Sequence, residues 1–85
     1  MYLHLGQDII VNKKDIIGIF DLDTATVAKN TREYLAEKEK KGGVVTVSYE
    51  LPKSFIVCCN ENNGETVYIS QLSAATLQKR SGEIF

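Results

Sequence analysis

The sequence is poor in most of the features that announce a function. It has one proline, one histidine and two cysteines in 85 residues. The cysteines, Cys58 and Cys59, are adjacent. Neighbours in a strand point to opposite faces, so an internal disulfide is not expected and a reducing, cytoplasmic location fits. No apolar run approaches the roughly 20 residues a spanning helix needs. The opening Met1–Gly6 has neither a basic leader nor an apolar stretch, so no signal peptide is expected. Ten basic and eleven acidic residues leave a net charge of -1. No overall field therefore gathers nucleic acid or draws the chain to an anionic membrane.

What is present describes a small folded domain. The chain is 44% apolar and 25% charged, outside the range of disordered or fibrous sequences. Its length suits a single domain spanning residues 1–85. A chain of this size buries only about 60% of the surface its unfolded form exposes, so assembly with copies of itself would help.

The order of elements is legible. Tyr2–Leu5, Ile9–Val11 and Ile16–Phe20 are β-branched, apolar runs that read as strands. Asn12–Asp15 reads as a tight hairpin turn with Asn12 as side-chain acceptor. Gly18 interrupts an apolar run and marks either a bulge or a close backbone approach, from a neighbouring subunit for example. Asp21–Ala28 is ambiguous between a loop and a helical turn. Lys29–Lys41 is rich in helix formers. Asn30 and Glu33 have capping-box spacing, Glu37 and Lys41 can pair, and Gly42-Gly43 ends the helix. Val44–Tyr49 and Phe55–Cys59 are strands separated by Glu50-Leu51-Pro52-Lys53. Asn63-Gly64 is a hairpin signal before Thr66–Ile69. Ser73 caps a short helix from Ala74 to Arg80, with Leu72 and Leu77 as a hydrophobic staple. The expected class is α+β. It has about six short, mostly antiparallel strands, one medium helix and a short C-terminal helix.

Catalytic and metal-binding patterns are weak. His4 has no carboxylate at a spacing that suggests an orienting partner. Cys58-Cys59 lacks the two to four intervening residues and the second ligand pair of a zinc site, and lacks the spacing of a redox pair. Asp21 and Asp23 lack the ligand periodicity of a calcium loop and suit turn or capping roles. No glycine-rich phosphate loop exists. No enzyme, metal or cofactor is expected.

Charge distribution matters more than net charge for nucleic acid. The basic spots are Lys13-Lys14, Lys29 with Arg32, Lys38-Lys40-Lys41 and a lone Lys53. Each is weak by itself and would read as solvated surface. In a ring, each would be repeated around one rim to make a basic track.

Several segments resemble the extracellular-matrix-regulator family (RemA/RemB-like) of spore-forming and related bacteria, in its B-type branch. They are Met1–Gly6, Val11–Lys14, Ile17–Asp21, Thr31–Leu35, the strand after Pro52 and Val67–Ser70. The resemblance covers nearly the whole chain. It implies a small DNA-binding regulator of biofilm-matrix genes that assembles into closed rings. Lys13 matches a basic position of the family's first turn, and Lys14 follows it. The A branch carries two adjacent arginines, implicated in DNA binding, after the tyrosine that matches Tyr49. Here Leu51 and Pro52 stand in their place. They cannot make charge-assisted phosphate contacts, and only Lys53 remains nearby, opposed by Glu50.

Two functions follow as expectations. One is a ring-forming regulator that binds double-stranded DNA through Lys13, Lys14, Lys53 and Arg32. The other is a protein-interaction module of the same system, acting through Gly18, Leu51 and Pro52, with an A-type relative as a possible partner.

Overall fold

A computed structural model describes residues 2–22, 29–48, 50–62 and 64–82 of the chain. Asp23, Tyr49, Asn63 and most of the ambiguous segment after Asp21 lie outside the described residues. In chain order the elements are β1 (Tyr2–Gly6), β2 (Ile9–Asn12), a 3-10 turn (Lys13–Asp15), β3 (Ile16–Asp21) and α1 (Lys29–Lys40). They continue with β4 (Val44–Thr46), β5 (Ser54–Asn60), β6 (Gly64–Ser70) and α2 (Ala74–Ser81). Among the described residues the fold is α+β, with the six strands, the medium helix and the short C-terminal helix that the residue patterns predict.

The strands form two sheets. β1 and β2 are an antiparallel pair; the second sheet has the order β3-β5-β6-β4. β3–β5 and β5–β6 are antiparallel, while β4 runs parallel to β6. This corrects the expected hairpin at Asn12–Asp15. The segment is a tight turn, and Asn12 Oδ1 accepts from the Lys14 amide at 3.2 Å. Its flanking strands, however, belong to different sheets. Val11 is buried, so β2 contributes a face to the core while β3 takes its ladder from β5.

Period-two alternation explains the packing. Leu3 and Leu5 are buried while Tyr2 and His4 are exposed. With Val11 they pack against Ile16, Ile19, Ile56 and Cys58 of the larger sheet, closed by Ala74 and Leu77 of α2. Burying a side chain such as Ile56 or Leu77 contributes about 1.5–3 kcal/mol. The opposite face holds a smaller cluster of Phe55, Val57 and Val67, partly covered by Tyr34 and Leu35 of α1. β5 lies in the sheet interior, and its residues from Ser54 to Cys58 are all buried.

Gly18 marks a bulge. Ile16 faces Cys58 and Gly18 faces Val57, so the strand gains one residue between them. That slip puts Ile16 and Ile19 on one face and leaves Ile17 exposed.

The helix ends follow local chemistry. After α1, the amide of Gly42 bonds the Glu39 carbonyl at 3.1 Å and that of Gly43 bonds the Lys38 carbonyl at 2.9 Å. Gly42 has φ +75°, so this is a Schellman stop that needs its glycine. Ser73 Oγ accepts from the Thr76 amide at 3.1 Å and caps α2, while Leu72 packs on the cluster that contains Leu77. The proposed Asn30 cap is corrected. The helical backbone already includes Lys29, so Asn30 lies in the first turn, where its backbone is not the extended one a cap requires.

Candidate nucleic-acid interface

The sequence-predicted basic residues are held on three different elements. Lys13 and Lys14 sit on the 3-10 turn, which leads into β3 where Ile16 faces Cys58. Lys14 and Asp15 share a polar depression with Cys59, Asn60, Glu61 and Asn62. This places the turn beside the β5–β6 hairpin. Lys53 lies at the other end of β5, just before Ser54. A seven-residue strand separates the two positions, about 20 Å. Arg32 is on an exposed position of α1. A single chain therefore keeps Lys14 and Lys53 apart.

Ion pairing sorts the basic residues further. Lys29 lies 3.9 Å from Glu33, Lys41 lies 3.1 Å from Glu37, and Lys38 lies 3.1 Å from Glu65. Lys14, Arg32 and Lys53 are exposed and make no ion pair among the described residues. Lys13 is only partly exposed. Part of the Lys38–Lys41 charge is thus neutralised locally.

The Lys53 loop has a fixed base. Lys53 donates its amide to the Ser70 carbonyl at 2.9 Å, and its own carbonyl accepts from the Leu22 amide at 3.0 Å. The Glu50 amide bonds Ser48 Oγ at 3.1 Å. Pro52 is exposed, and Leu51 between them is 80% exposed. Gly18 is placed differently: it is buried, and the ring of Phe20 stands over it.

Other reactive groups are set by their surroundings. Cys58 is buried and Cys59 exposed. Burial, with a smaller contribution from the charge of Asp15, pushes the Cys58 thiol up to about 11. The His4 ring meets the Gln7 carbonyl across the β1–β2 turn. No group of three or more His, Cys, Asp or Glu side chains suited to a metal occurs among the described residues.

One polar cluster is absent from the sequence expectations. Tyr34 Oη donates to Glu65 Oε2 at 2.6 Å, and Lys38 Nζ lies 3.1 Å from the same oxygen. Burial first, then the bond to Glu65 and its charge, raise the Tyr34 phenol well above its ordinary range. The Glu65 carboxyl is lowered, chiefly by the Tyr34 hydroxyl and then by Lys38. Tyr34 and Glu65 are 31 residues apart, and no local pattern connects them.

The sequence model of RemA-like proteins, described as extracellular matrix regulatory protein A-like, matches residues 2–80. The chain belongs to this family. It is also 39% identical to extracellular matrix regulatory protein B of Bacillus subtilis (strain 168), over 85 residues covering 100% of this chain and 95% of that protein. The B-type assignment rests on this relative. Both descriptions are of regulatory proteins, which links the chain to regulation of the extracellular matrix at the level of its family. No helix among the described residues is long and apolar enough to cross a membrane.

Proposed function

We propose that this chain regulates extracellular-matrix genes in the cytoplasm as a closed-ring homo-oligomer that holds double-stranded DNA by its phosphates. The observation that carries the reading is the sorting of cations. Lys14, Arg32 and Lys53 stay exposed and without ion pairs among the described residues, as do Lys40, Lys79 and Arg80, whereas Lys29, Lys38 and Lys41 are paired. Lys13 contributes from the same turn as Lys14. One subunit offers only separated contacts, and repetition around a ring multiplies them. The edge strand β3, with Ile17 and Gly18, is the proposed subunit contact, because its outer side has no strand partner among the described residues.

Light scattering after size exclusion tests the assembly. Anisotropy of a labelled duplex of about 40 base pairs tests a phosphate-dominated interaction. Binding is expected to fall steeply with salt, and Lys14→Glu and Lys53→Glu are expected to weaken it on unrelated sequences alike. A parent protein that leaves the duplex unshifted at low salt removes the DNA reading; variants that bind like the parent remove these residues from it. Ile17→Lys, at an exposed position of that edge strand, is expected to split the oligomer. An unchanged mass for Ile17→Lys rejects the β3 contact.

The exposure of Leu51 beside Pro52 favours one second reading. In it, the loop is a protein contact and the chain acts through a partner such as an A-type relative. A large oligomer that ignores DNA, and captures the relative only while Leu51 is intact, would select that reading.

A further inference from the structure

α1 is attached to the sheet in an uneven way. None of its twelve residues is buried, whereas α2 buries Ala74 and Leu77. Its apolar contribution to the smaller cluster is Tyr34 and Leu35, both half-exposed. Under its N-terminal half lies a groove of about 240 Å³, lined by Phe20, Asn30, Thr31, Tyr34 and Phe55. The polar contacts with the sheet converge further along the helix on one residue of β6. Glu65 Oε2 accepts from Tyr34 Oη at 2.6 Å and lies 3.1 Å from Lys38 Nζ. The same ammonium reaches the Glu65 carbonyl at 3.4 Å. Beyond the helix, the Gly43 carbonyl accepts from the Val67 amide at 2.8 Å, so the chain is tied to the sheet at that end.

We infer that α1 is a latched lid over the Phe55–Val57–Val67 face, that it swings away as a unit while the sheet stays folded, and that Glu65 is its latch. Elements with little buried apolar surface open at a lower free energy than the core they cover. Here the lid has no buried residue, and the face beneath it has three. Opening uncovers that face and displaces Arg32, which rides on the helix, so the latch is placed to control what the surface presents. The inference is independent of the DNA reading.

Native-state hydrogen exchange on the intact protein tests it, resolved to the α1 amides from Tyr34 to Lys40 and to those of Val57 and Val67. The α1 amides should exchange at least about tenfold faster than the strand amides, as expected of a separate opening unit. Glu65→Gln keeps the side-chain shape and an acceptor oxygen but removes the charge, and should speed α1 exchange by a further three- to tenfold, roughly the difference between a charge-assisted and a neutral bond. Val57 and Val67 should change less. Tyr34→Phe, which removes only the hydroxyl, should act in the same direction and serves if the Glu65 variant does not fold. Equal rates for α1 and the strands in the parent would overturn the lid. An equal acceleration of both groups by Tyr34→Phe or Glu65→Gln would overturn the latch.

Discussion

The ring of Phe20 occupies the space that a side chain on Gly18 would need. A Cβ at Gly18 would stand 2.6 Å from Phe20 Cζ and 2.7 Å from Cε2, distances at which one of them must move. The ring also stacks on that of Phe55, with centroids 5.0 Å apart and planes 20° from parallel. Phe20 is exposed and its ring can give way, so Gly18→Ala is expected to destabilise the chain by about 1 kcal/mol, the low end of the usual cost of overpacking. Urea denaturation checks it. In the Phe20→Leu background the same substitution should cost less, because the obstructing ring is gone; an unchanged cost would mean that the strand itself rejects the alanine.

Ser70 joins three parts of the fold. It is fully buried, donates from Oγ to the Leu5 carbonyl at 2.7 Å and accepts from the Leu72 amide at 3.0 Å. Ser70→Ala leaves both backbone groups without this partner. A loss of about 1–3 kcal/mol is expected from unsatisfied buried groups. Thermal unfolding should show it, and a melting temperature equal to the parent's would contradict it.

The Tyr34–Glu65 contact makes stability depend on pH at both ends of the scale. Glu65 is lowered in the folded chain, first by the Tyr34 hydroxyl and then by Lys38. Its contribution is present above the unfolded carboxyl value near 4 and is lost as pH falls through the lower folded value. Tyr34 is raised, first by burial and then by Glu65. Its neutral form is favoured on folding, so this contribution is present below the unfolded phenol value of about 10 and is lost as pH rises above it. Glu65→Gln should flatten the acid limb of a stability–pH curve, and Tyr34→Phe should reduce the alkaline limb. Tyr68, also raised chiefly by burial, keeps part of the alkaline slope.

The two thiols should react in separate steps. Cys59 is exposed, while Cys58 is buried and held up to about 11. Near pH 8, a chromogenic disulfide reagent should modify one thiol quickly and the second only in denaturant. Cys59→Ser should remove the fast step and Cys58→Ser the slow one. Two fast thiols in the native chain would show that β5 opens readily at Cys58.

Much of this protein is local information. Alternating Leu3 and Leu5, the β-branched runs, the helix-forming stretch before Gly42 and the Ser73 cap specify each element from its own residues, because side-chain period and capping act over a few positions. The adjacency of Cys58 and Cys59 likewise shows that they face opposite ways. The same local rules misplace the Asn30 cap, since an Asn side chain favours a cap only where the backbone is still extended.

Pairing between distant segments belongs to the tertiary structure. The choice of β5 over β2 as the partner of β3, the parallel placement of β4 and the burial of Cys58 rather than Cys59 all depend on which faces meet across the core. The same holds for the cations. Their number is plain in the sequence, but Lys38 meets Glu65 because α1 lies over β6, and Lys14 and Lys53 stand at opposite ends of β5. Charge and hydrophobicity are properties of residues. Which charges are neutralised, and which apolar faces are covered, is decided by contacts between residues far apart in the chain.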